Sequence, residues 1–97
     1  MLPTTVVGNS TGGAYDVRRV RVTLLELPAR WKAVDRALAE VEAALAGCTS
    51  DLVLLPEASL TGYLSPDGDA DLTPFAEPID GPTSRACAAL AATHAVH

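Results

Sequence analysis

Aromatic residues make up only 4% of the 97-residue chain, so a core would have to be built from Val, Leu and Ala. Small aliphatics in so short a chain bury a low fraction of their surface, and such a core is marginal. Positive charge is also scarce. Seven Lys and Arg stand against twelve Asp and Glu, giving a formal charge of −5 and a pI of ≈ 4.7. Nucleic acid and anionic membrane surfaces both select for basic patches, so neither is an expected partner. The two cysteines, Cys48 and Cys87, are too few for a disulfide scaffold. The opening MLPTTVVGNSTGG has neither the basic start nor the long apolar stretch of a secretory signal. No uninterrupted apolar run approaches the roughly 20 residues that span a bilayer. A reducing, cytoplasmic setting is the default expectation.

What is present points to a folded chain. The sequence is 48% hydrophobic and 20% charged, with a mean hydropathy of +0.22. That composition is too apolar for a disordered polymer, and the length suits one small domain. Residues 1–17 read as a flexible tail, because Gly8, Gly12 and Gly13 are mixed with Asn, Ser and Thr without periodicity. Order is expected over 18–97. The run from Arg18 to Leu27 has the β-branched content of a strand entering a buried sheet, and Pro28, lacking an N–H, ends it.

Residues 31–46 predict a helix. Val34, Leu38, Val41 and Leu45 step by four, three and four and share one face, which Ala37 and Ala44 widen. Gly47 then suits a left-handed cap. Asp51 to Leu55 is a short apolar run closed by Pro56, and continuous apolar character implies burial on both faces of a sheet. Strand, amphipathic helix and buried strand together make a βαβ unit. A long connection over 58–80 leads to a second helix, for which Pro82 suits the first position. A further strand is expected to begin near Ala95-Val96-His97.

The most informative segment is Leu54-Leu55-Pro56-Glu57-Ala58-Ser59-Leu60-Thr61-Gly62-Tyr63. A carboxylate directly after a buried strand stands where open α/β sheets place their ligands. Partial burial there would raise the pKa of Glu57 and suit it to general-base work. The chemistry of the residues leaves a second reading open, in which Glu57 is an ordinary loop acid capping a neighbouring helix.

L-P-E-x-x-L-T-G-Y, one βα unit after an R-V-x-x-x-x-L-P strand, resembles the nitrilase superfamily of carbon–nitrogen hydrolases. The resemblance runs over about residues 20 to 97 and includes Asp80-Gly81-Pro82-Thr83 at the second helix. It implies an α/β fold, the N-terminal βαβα portion of a four-layer α-β-β-α sandwich, truncated here. It also implies a Glu-Lys-Cys triad that hydrolyses an amide or nitrile through a thioester acyl-enzyme. Glu57 matches the general base, which answers a need, since free cysteine is little ionised near neutral pH. Glu26 departs from the pattern, standing where glutamine is common.

The other triad members do not carry over. Lys32, the single lysine, precedes Glu57, whereas the family's lysine follows it. Cys48 and Cys87 do not match the nucleophile and read as small buried or half-buried hydrophobes. The chain is therefore expected to be inactive by itself. In its full-length form it is expected to act on a small-molecule amide or nitrile without a cofactor, and to assemble as a homo-oligomer. The alternative function is a small non-catalytic α/β module for binding or assembly.

Other features carry less. Asp67-Gly68-Asp69-Ala70-Asp71 begins like a calcium loop, but Leu72 occupies the required glycine position and Pro78 the required glutamate position. Gly8 to Gly13 lacks the lysine and helix of a phosphate cradle. Asn9-Ser10-Thr11 is a glycosylation sequon by spelling alone. His94 and His97 are too few to hold a metal.

Overall fold

The computed structural model describes residues 3–10 and 18–97. Strand β1 (Pro3–Ser10) pairs antiparallel with β2 (Arg18–Leu25) in the register Val6↔Val22. Strand β3 (Leu52–Leu54) lies parallel to β2 on its other side, with Val22↔Leu52 and Leu24↔Leu54. The sheet order is β1-β2-β3. Helix α1 (Val34–Leu45) connects β2 to β3, and helix α2 (Pro82–His94) follows a connection containing one short 3₁₀ turn, Thr73–Phe75. From β2 onward this is the βαβα order expected from the sequence.

Within residues 1–17, expected to be a flexible tail, Pro3–Ser10 forms strand β1. Thr4-Thr5-Val6-Val7 is a β-branched run, and it meets the edge of β2, which would otherwise present a row of unpaired backbone groups. The remainder of that segment, residues 1–2 and 11–17, lies outside the described residues.

Helix α1 begins at Val34, where the apolar stripe begins, and not at Trp31 as the expected span of 31–46 has it. Lys32 takes φ 56, which no helix can continue through, and Ala33 becomes the N-cap without a side-chain hydrogen bond. The buried face of α1 is Ala37, Val41 and Leu45, an i, i+4, i+8 line, while Val34 and Leu38 are half-buried. The left-handed cap expected at Gly47 is absent. Ala46 closes the helix in right-handed geometry, and the Cys48 amide donates to the Leu45 carbonyl at 3.0 Å.

Leu25, Val41, Leu45 and Val96 form the core, with Leu27, Val53, Leu55, Leu60, Leu90 and Ala91 packed against it. One face of the sheet is thereby covered by the helices. The opposite face is open: Val20, Leu24 and Leu54 are 44%, 43% and 45% exposed. Burial of β3 on both faces, expected from its continuous apolar run, is thus met on one face only. The helices cover that side, and nothing among the described residues covers the other.

Helix α2 starts at Pro82, as its missing N–H favours. It ends where Ala95 adopts φ 53 and donates to the Ala91 and Ala92 carbonyls, doing with an alanine what glycine does more easily. The chain then turns back into the sheet. The His97 amide donates to the Asp51 carbonyl at 3.0 Å, and the Val53 amide donates to the His97 carbonyl at 2.8 Å. That is one rung of a parallel ladder on the free side of β3, where a further strand is expected to begin. No helix among the described residues is long and apolar enough to cross a membrane.

Candidate functional site

Pro56 ends β3 because it cannot donate to the ladder, and Glu57 follows at the carboxyl end of the parallel pair. Residues 57–61 form a turn. The Ser59 amide and hydroxyl both donate to the Pro56 carbonyl, at 3.2 and 2.5 Å, and the Gly62 amide donates to the Ala58 carbonyl at 2.8 Å. Ala58 holds φ 55 and Gly62 φ 81, so the turn rests on two left-handed residues.

This turn is fixed to the β2–α1 connection. The Lys32 amide donates to the Thr61 carbonyl at 3.0 Å, and Gly62 lies directly against the Arg30 backbone. Between the two connections opens a cavity of about 540 Å³, whose lining includes Leu27, Pro28, Trp31, Glu57, Tyr63 and Leu64. Its walls are mostly apolar, with few polar groups, which is the usual make-up of a small-molecule site.

Glu57 is exposed at the lip of this cavity, not partly buried as its place after an apolar strand suggested. The Tyr63 phenol is pushed above its ordinary pKa, first by its hydrogen bond to Glu57, then by partial burial and the charge of the carboxylate. The cations of the adjoining β2–α1 connection, Arg30 and Lys32, are already engaged. Arg30 Nη1 lies 2.5 Å from Glu40 Oε2, and neither atom has another partner among the described residues. Hydrogen bonding to Arg30, working against desolvation and aided by its charge, holds the Glu40 carboxyl below the usual range. Lys32 Nζ stands 5.4 Å from the centre of the Trp31 ring, 5.8 Å from that of Phe75, and 3.7 Å from Asp69 Oδ2.

Neither cysteine shares the cavity with Glu57. Cys48 precedes β3, whereas Glu57 follows it. Burial works to raise the Cys48 thiol, but hydrogen bonds with the backbone and hydroxyl of Ser50 and the hydroxyl of Thr23 outweigh it and leave the thiol below its ordinary value. Thr23 and Ser50 are themselves buried and hydrogen-bonded to each other. The sequence pattern marks Cys48 as a small buried or half-buried hydrophobe and does not show this polar cluster. Its signal was Thr23 on the inward face of β2, opposite the Cys48-Thr49-Ser50 run. Cys87 lies half-buried in α2 beside Leu90 and Ala91, facing a small apolar cavity of about 130 Å³.

The acidic loop holds itself together. Asp69 Oδ1 accepts from the Asp71 amide at 2.9 Å, and Asp71 Oδ1 accepts from the Thr73 amide at 3.0 Å. No group of three or more metal-binding side chains occurs among the described residues. His97 sits against Asp51, its ring Nδ1 3.4 Å from that carbonyl oxygen.

A family model described as carbon-nitrogen hydrolase matches residues 19–97. The chain matches no curated protein and no solved structure.

Proposed function

The chain belongs to the carbon–nitrogen hydrolase family of the nitrilase superfamily, and from that we propose that it is the N-terminal part of an enzyme cleaving non-peptide C–N bonds, with Glu57 as its general base. The observation that carries the proposal is the position of Glu57, directly after the parallel strand β3 and at the lip of a mostly apolar cavity. In this reaction the carboxylate takes the proton of a cysteine thiol, and the sulfur forms a bond to the amide or nitrile carbon. With an amide, the C–N bond then breaks, and the amine leaves carrying the proton. With a nitrile, water adds to the carbon before ammonia is lost. In both cases hydrolysis of the thioester releases the acid and the thiol.

The lysine and cysteine of such a triad have no counterpart in Lys32, Cys48 or Cys87. Lys32 is held by Trp31, Phe75 and Asp69, and neither cysteine lines the cavity. The 97-residue chain is therefore inactive alone on this reading. In the full-length form its substrate is a small amide or nitrile, its setting cytoplasmic and its assembly homo-oligomeric, within a four-layer sandwich. The competing reading, a non-catalytic assembly module, is favoured by the open apolar face of Val20, Leu24 and Leu54.

A chimera tests the proposal. Residues 19–97 replace the corresponding segment of an active carbon–nitrogen hydrolase, and ammonia release is measured from a panel of amides and nitriles. Hydrolysis by the chimera and its loss on Glu57→Gln are the expected results. Full activity of the Glu57→Gln chimera would remove Glu57 from the chemistry.

A further inference from the structure

The backbone places Glu57 and Tyr63 side by side. The Gly62 amide to Ala58 carbonyl bond, 2.8 Å, closes a tight turn, and the residues flanking that turn are Glu57 and Tyr63. The turn cannot drift. Lys32 bonds to Thr61 at 3.0 Å, and Gly62 stands against the Arg30 carbonyl, where no Cβ would fit. Both side chains line the same cavity. Left-handed backbone at a non-glycine residue such as Ala58, φ 55, is strained and persists only where its surroundings enforce it, commonly at functional sites.

The nearby hydroxyls are committed elsewhere. Ser59 donates to the Pro56 carbonyl at 2.5 Å and Thr61 to the Gly62 carbonyl at 3.1 Å. Neither can also hold the carboxylate of Glu57. The phenol of Tyr63 can.

We infer that Tyr63 is a positioning residue, donating a hydrogen bond to one carboxylate oxygen of Glu57 and leaving the other free to take a proton inside the cavity. The inference rests on Glu57 being the general base. An exposed glutamate samples many rotamers, and most of them carry its carboxylate out of reach of a reacting proton. A fixed donor removes that freedom before substrate arrives. The ionised carboxylate has acceptor capacity on both oxygens, so holding one does not silence the other. Phenylalanine would fill the same space and leave the carboxylate loose.

The test is a tyrosinate absorbance titration of the 97-residue chain in a Tyr15→Phe background, where Tyr63 alone titrates. Glu57→Gln is expected to lower the Tyr63 midpoint towards that of an ordinary phenol. Glu57→Asp, charged but one methylene shorter, is expected to fall between the two and serves should Glu57→Gln fail to fold. In a separate arm, Tyr63→Phe is expected to move the side-chain carboxyl carbon resonance of Glu57. An unchanged Tyr63 midpoint in both Glu57 variants, or an unmoved Glu57 resonance in Tyr63→Phe, would overturn the inference. No turnover is read here. A failed titration therefore leaves the base role of Glu57 standing, and an inactive chimera leaves the contact standing.

Discussion

A Cβ placed on Gly62 would collide with the Arg30 carbonyl oxygen, so the turn after Glu57 and the connection after β2 touch backbone to backbone. Only glycine permits that approach, and only glycine holds φ 81 without strain.

Gly62→Ala is therefore expected to destabilise the chain by about 2–4 kcal/mol, combining left-handed strain with the displacement of backbone that cannot give way. Gly68 supplies the control. Its φ is 87, yet a Cβ there would meet nothing within 4 Å. Gly68→Ala should lose only the conformational part, about 1–2 kcal/mol. Urea unfolding of the two variants separates strain from collision, and equal losses would refute the backbone contact.

Truncating Leu25, 1% exposed and central to the core, should cost about 2–5 kcal/mol. Leu54→Ala, at a residue 45% exposed on the open face, should cost about 1 kcal/mol or less. Denaturant midpoints of the two variants measure the one-sidedness of this sheet.

Glu77 caps α2 from outside the helix. Its carboxylate accepts from the Thr83 amide at 2.7 Å and from the Thr83 hydroxyl at 2.5 Å, and these bonds hold its carboxyl below the usual range. A depressed carboxyl contributes stability that is present above its unfolded pKa and is lost as pH falls through its lower folded value. Glu77→Gln should flatten part of the acid limb of a stability-against-pH curve and leave the slope of the neutral region unchanged. Glu40 and Asp71 are shifted in the same direction, so part of the limb remains. Tyr63, shifted upward, acts on the alkaline limb, where its contribution is lost as pH rises through its folded value.

The Cys48 thiol should be alkylated at lower pH than a free cysteine, since the thiolate is the reactive form. Thr23→Val and Ser50→Ala each remove one hydroxyl partner while leaving the Ser50 backbone in place. Each should move the alkylation midpoint upward, read by mass spectrometry in a Cys87→Ser background. An unmoved midpoint in both would assign the shift to the backbone alone.

Much of this architecture is legible in the residues themselves. The 3.6-residue spacing marked α1, Pro82 marked the start of α2, and the apolar run before Pro56 placed Glu57 at a strand end. What the local pattern does not carry is set by distant partners. Pro3–Ser10 looks loose until the edge of β2 offers it a ladder. Lys32 falls outside the helix because its backbone is drawn to Thr61, on another connection. The exposure of Glu57 has a similar origin: the apolar strand before it is covered by helices on one side only. Neither that exposure nor the Thr23–Ser50–Cys48 cluster leaves a periodic trace, because each depends on which elements meet in space.

The chain has one lysine, one tryptophan and one phenylalanine, and the Lys32 ammonium stands over the rings of both Trp31 and Phe75, with Trp31 itself lining the Glu57 cavity. Apart from the α-amino terminus, an amine-directed label therefore has a single address. The indole beside that address is a built-in optical probe. Its emission reports, without any added dye, on what enters the space next to the carboxylate.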